Sequence, residues 1–81
     1  MKEFIVDGIH YTVCPCTVAT FGKLRRRALL VTETHPNGDR CQVVTYGWDI
    51  EDLNTNSNLA EMIEWADWAS DKETLSTVKL L

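Results

Sequence analysis

At 81 residues, with 44% apolar and 25% charged side chains, the chain has the size and composition of one globular domain and lies outside the range of disordered segments. No apolar run approaches the ~18 residues that span a bilayer, and the N-terminal MKEFIVDGIH lacks the apolar stretch and small-residue cleavage site of a secretion signal. The net charge of −4 divides unevenly, +2 over residues 1–48 and −6 over residues 49–81, which disfavours a basic nucleic-acid binder while leaving room for a local basic patch.

Residues 3–14 are predicted to form a β-hairpin, because Asp7-Gly8 suits a type I′ turn between two β-rich runs. Pairing across it sets Val6 opposite Ile9, Phe4 opposite Tyr11 and Lys2 opposite Val13. Phe4, Val6, Ile9, Tyr11 and Val13 then share the core face, with Ile5, His10, Thr12 and Cys14 on the other. Pro15 is expected to interrupt the ladder, since it donates no backbone hydrogen bond. The segment after it, CTVATFGKLRRR, carries Val18, Phe21 and Leu24 at intervals of three but also Gly22 and β-branched residues, which suggests an irregular crossover or a short helical turn.

RALLVTET and RCQVVTY flank HPNGD and predict a second hairpin over 27–46. A tight Asn37-Gly38 turn would set Val31 opposite Val44 and Leu29 opposite Tyr46, with Thr32, Thr34, Cys41 and Val43 on the other face. After Gly47, Asp49–Leu53 has room for no more than a helical turn. A helix is then predicted over 58–70, capped by Asn58 with Glu61 at N3. On a helical wheel Leu59, Met62, Ile63, Ala66 and Ala69 form one arc with Trp65 at its border, opposite Glu61, Glu64, Trp68 and Asp71. In the tail, Ser70 and Glu73 would cap a second short helix, whereas Thr74, Thr77 and Val78 favour a final edge strand over 74–80, the preferred reading. The fold class expected is α+β: two hairpins in a small antiparallel sheet with one amphipathic helix packed on it.

Three cysteines, Cys14, Cys16 and Cys41, are an odd number without disulfide-framework spacing and point to a reducing compartment, the cytoplasm. With His10 and His35 they could supply a Cys3His zinc site, but a single proline separates Cys14 from Cys16 and Cys41 and His35 lie on another hairpin, so neither a metal nor a cofactor is expected. Cysteine–histidine catalysis is also disfavoured: along a strand His10 and Cys14 stand about 13 Å apart. No phosphate-binding glycine loop or nucleophile elbow is present, so the chain is read as non-enzymatic.

Two charged stretches remain. Lys23, Arg25, Arg26 and Arg27 could contact nucleic-acid phosphate; their ordinary role is a solvated strand entry or a partner for the acidic half. Residues 49–71 hold seven carboxylates, no Lys or Arg, and two tryptophans. Its ordinary reading is a solvated helix face; its functional reading is a docking surface with Trp68 as anchor, rimmed by Glu61, Glu64 and Asp71 and extended by Trp65, Trp48, Asp49, Glu51 and Asp52. A surface of that sign suits a partner protein with a basic, nucleic-acid-binding surface. The size and charge are those of phage or mobile-element inhibitors of host defence or DNA-processing proteins, of the anti-CRISPR or anti-restriction kind. A nucleic-acid-binding module built on the basic cluster is the rival expectation, and homodimerisation is a competing use of an exposed indole.

Overall fold

A computed structural model of the chain describes residues 1–20, 24–66 and 72–81. Its centre is an antiparallel sheet in the order β1 (Lys2–Val6), β2 (Ile9–Thr20), β3 (Leu24–Thr34) and β4 (Arg40–Thr45), each strand paired with the next in sequence. A 3₁₀ turn (Ile50–Asp52) leads into helix α1 (Asn56–Trp65), and helix α2 (Lys72–Ser76) leads into β5 (Lys79–Leu80). The fold is α+β, with hairpins preceding the helices. No helix among the described residues is long and apolar enough to cross a membrane.

The first hairpin has the expected register: Lys2 lies opposite Val13, Phe4 opposite Tyr11 and Val6 opposite Ile9. Its turn places both Asp7 (φ 52°) and Gly8 (φ 78°) in the left-handed region, as a type I′ turn requires.

Beyond it, β2 runs straight through Pro15 to Thr20 and pairs along its length with β3, from His10 opposite Thr34 to Thr20 opposite Leu24. The expected crossover or helical turn is therefore strand on both sides of residues 21–23, which with Phe21 lie outside the described residues. The β-branched side chains of Thr17 and Val18 outweigh the three-residue spacing. Pro15 fits because of where its nitrogen points. Its carbonyl accepts a hydrogen bond from Leu81 N (3.1 Å), and in a strand the nitrogen of a residue faces the same side as its carbonyl. On that side β1 begins opposite Val13 while β5 pairs only with Cys16 and Thr17. The missing donor thus falls at the junction of two short edge strands.

The second hairpin differs from expectation by one residue. Val31 pairs with Val43, Leu30 with Val44 and Leu29 with Thr45. The loop is wider than a two-residue turn: Gly38 N donates to His35 O and His35 N to Asp39 O, both at 2.9 Å. Pro36 sits at the first central position, Asn37 is not in the left-handed region, and Gly38 is (φ 93°). That is a type I turn followed by a left-handed glycine, which Pro36 favours over a type I′ pair at Asn37-Gly38. The slip exchanges the faces of β4. Val43 joins Val31, and Cys41 stands opposite Glu33 rather than beside Thr32.

Both faces of the sheet are covered. On one, Tyr11, Val13, Leu29, Val31 and Val43 pack with Leu53, Leu59 and Met62, joined at the margin by Phe4, Val6, Ile9, Trp48, Ile50, Ile63 and Ala66. On the other, Cys16, Val18, Ala28 and Val44 are buried together with Leu30, Tyr46, Leu75 and Val78. The tail that covers this second cluster is helix over 72–76 and strand only at 79–80, in place of the strand expected over 74–80.

Helix α1 begins earlier and ends earlier than 58–70. Its cap is Thr55, whose Oγ1 accepts from Asn58 N at 3.1 Å. Asn58 itself is one turn inside, and its side-chain amide donates to Asp52 O at 2.7 Å, tying the helix to the preceding turn. At the other end Ala66 leaves helical geometry (ψ 140°). Ala69 and Ser70 lie outside the described residues.

Candidate functional site

The acidic, aromatic surface is built by two connected elements. Gly47 (φ 81°) turns the chain out of the sheet. Trp48 and Ile50 then fold back onto the main core half-buried, while Asp49, Glu51 and Asp52 stay exposed. In α1 the predicted arc holds for its described members: Leu59 and Met62 are fully buried, and Ile63 and Ala66 half-buried.

Trp65 does not sit at the border of that arc. It is 77% exposed, the highest value among the exposed large apolar side chains described. At 100° per residue Trp65 falls about 110° from the centre of the arc, one turn after Glu61 on the same flank. Helix α1 also ends there. Glu61 and Glu64 are both exposed. Among the described residues no cationic side chain lies within ion-pair distance of Asp49, Glu51, Asp52, Glu61 or Glu64. Trp68 and Asp71 lie outside the described residues.

Strand β3 separates the basic cluster. Arg25 and Arg27 stand on the α1 side of the sheet, and Arg26 on the other, its guanidinium 4.1 Å from the centroid of the Tyr46 ring. All three are exposed. Lys23 lies outside the described residues. Side chains two residues apart in a strand share a face, so three arginines in a row cannot present one surface.

The cysteines are free: Cys16 buried, Cys14 half-buried and Cys41 exposed. Burial pushes the Cys16 thiol up, away from the thiolate a nucleophile or metal ligand needs. Among the described residues no three of His, Cys, Asp and Glu are grouped to hold a metal ion.

One polar network had no signal in the sequence. Tyr11 Oη donates to Glu33 Oε2 at 3.0 Å, and the His35 imidazole is hydrogen-bonded to Glu33 Oε1. The register of β2 against β3 creates it by setting Tyr11 opposite Glu33. Burial, and then the Glu33 carboxylate, push the Tyr11 phenol from 10.0 up to about 12. With the folded pKa raised, the unfolded chain loses this proton first as pH climbs past 10. The stability it contributes is full below pH 10 and is lost as the pH rises to about 12. Tyr11→Phe is expected to flatten the alkaline decline in urea midpoint over that window; an unchanged slope would show that Tyr11 does not govern it.

No known protein family, curated protein or solved structure matches the chain.

Proposed function

We propose that this chain is a small, non-enzymatic protein-binding module that lays the acidic, aromatic side of α1 and the adjoining turn on a basic surface of a partner protein. The observation that carries the reading is Trp65: an indole 77% exposed, one turn from Glu61, on a surface whose described carboxylates have no described cation within ion-pair distance. Large aromatic side chains rimmed by charge are the usual anchors of interfaces, and acidic patches steer association with basic ones. Trp65 thereby takes the leading place among the anchors, with Trp68 and Asp71 continuing the same run of acids and indoles in the sequence. Trp48, Asp49, Glu51 and Asp52 extend the surface along the turn. Proteins that grip DNA or RNA offer basic grooves of the matching sign. A chain of this size and charge lodged in one would exclude the polymer, the mode of action of a phage or mobile-element inhibitor of a host defence or DNA-processing protein.

Trp65→Ala is expected to weaken partner binding by about 2 kcal/mol while moving stability by no more than about 0.5 kcal/mol, because the side chain is exposed. Glu61→Arg with Glu64→Arg is expected to slow association and reduce its dependence on salt. The measurement is capture from host lysate by parent and variants across a salt series, followed by kinetics on the purified partner. A partner held equally by parent, Trp65→Ala and Trp68→Ala would overturn the reading. Sedimentation of the purified chain separates the competing use, since a dimer lost on Trp65→Ala would assign the surface to self-association.

A further inference from the structure

Three cationic side chains are rooted around one threonine on the α1 side of the sheet. Thr17 of β2 lies directly between Arg27 of β3 and Lys79 of β5. Direct cross-strand neighbours hold their Cβ atoms about 5 Å apart, so both cations flank the threonine. Arg25 is drawn to the same place: its Nη2 donates to Thr17 Oγ1 at 2.8 Å and to Thr17 O at 2.9 Å, and its Nε donates to Oγ1 at 3.3 Å. All three cations are exposed, and among the described residues none has a carboxylate within ion-pair distance. Like charges held this close repel, and an anion seated among them relieves the repulsion.

Of these cations Arg27 lines an open groove of about 690 Å³, within the range of small-ligand sites, and Thr17 and Lys79 lie next to it in the sheet. Arg27 stands in its lining with Leu29, Trp48, Asp49, Ile50 and Glu51. Trp48 is half-buried against the main core, which holds it in place while it lines the groove. Cation, indole and carboxylate thus meet in one concavity.

We propose that this groove binds a nucleoside monophosphate. The phosphate sits on Arg27 and Lys79 with the remaining N–H groups of Arg25, the base lies against the indole of Trp48, and the ribose hydroxyls or base amino group donate to Asp49 and Glu51. A bare phosphate would use the cations and leave Trp48 and both carboxylates idle. An apolar ligand would leave the cations without a partner. Trp48, Asp49 and Glu51 also belong to the docking surface, whereas Arg27 and Lys79 do not, so variants at these two positions separate the proposals.

The test uses the full chain carrying Trp65→Phe and Trp68→Phe, in which Trp48 is the remaining indole of the three. Its fluorescence is followed on titration with adenosine monophosphate, adenosine and inorganic phosphate. Adenosine monophosphate is expected to quench saturably at millimolar concentration or below, with phosphate competing silently and adenosine binding more weakly. Arg27→Ala and Lys79→Gln should each weaken the nucleotide by about tenfold, the loss of one charge-assisted contact. Lys79 is exposed in a two-residue edge strand, so its variant keeps the test valid if Arg27→Ala fails to fold by circular dichroism. The proposal is overturned by no saturable response at ten-millimolar nucleotide, in order of magnitude the weakest affinity of interest, by adenosine binding as tightly as its monophosphate, or by an affinity that Lys79→Gln leaves unchanged.

Discussion

Leu59→Ala is expected to cost about 3 kcal/mol of folding stability, within the range of about 2 to 5 kcal/mol measured for such truncations in cores that collapse only in part. Leu59 is fully buried where α1 meets the sheet, in one cluster with Met62, Leu53, Val13, Val31 and Val43. Those neighbours come from β2, β3, β4, the segment after the 3₁₀ turn and α1 itself, and all but Met62 are branched side chains anchored in other elements, so the void closes only in part. For 81 residues the total stability is about 4 to 12 kcal/mol, and this one change removes a large share of it. Urea denaturation should show a much lower midpoint at an unchanged slope. Glu64→Ala on the exposed side of the same helix should move the midpoint by no more than about 0.5 kcal/mol. A loss below about 1 kcal/mol for Leu59→Ala would mean that α1 is not seated as described.

Val18→Asp is expected to be at least as damaging, by about 3 kcal/mol or more, because it sets a carboxylate in a buried apolar cluster that contains no cation. Val18 is fully buried on the face opposite α1, beneath Leu75 and Val78 of the tail. No cation belongs to that cluster: its other members are Cys16, Ala28, Val44, Leu30 and Tyr46. Arg26, stacked on Tyr46, is the nearest described cation by topology, two registers along β3 from Ala28 and opposite Val18. It is exposed, and turning inward would break its stacking. The tail should therefore come away first, read as protease cleavage between residues 66 and 81 at urea concentrations where the parent resists. Val18→Ala should show the same order of events with a smaller loss, about 1 to 2 kcal/mol. A Val18→Asp chain as stable and protease-resistant as the parent would exclude a second core beneath the tail.

Legibility of the fold tracked how locally each feature is encoded. The Asp7-Gly8 turn carries its conformation in two residues, and the alternation around it permits one register, so the first hairpin was readable to the residue. The α1 arc was readable because a 3.6-residue period over Leu59, Met62, Ile63 and Ala66 suits no other element. Its ends were less so: Thr55 and Asn58 are both good caps, and only the bond from Asn58 to Asp52 O shows why Asn58 serves elsewhere. For the candidate site, the acids were recognised by composition and are exposed where described. Trp65 lies at the border of the arc only on a wheel of residues 58–70, which brings Ala69 into the arc, whereas α1 ends at Trp65.

Turn chemistry, periodicity and ionisation are local properties, and they suffice to specify an α+β chain with two hairpins, one amphipathic helix and a strong division of charge. The register of β4 depends on the packed sheet, because Val43 and Val44 are equally apolar and a one-residue slip merely exchanges which core each joins. The same holds for Pro15, whose fit depends on β1 and β5 meeting at one edge of β2, and for the second core, which exists only once the tail folds across the sheet. The gathering of Arg25, Arg27 and Lys79 around Thr17 is of this kind too. Residues 25 and 79 are remote in the chain, and only the pairing of three strands makes them neighbours.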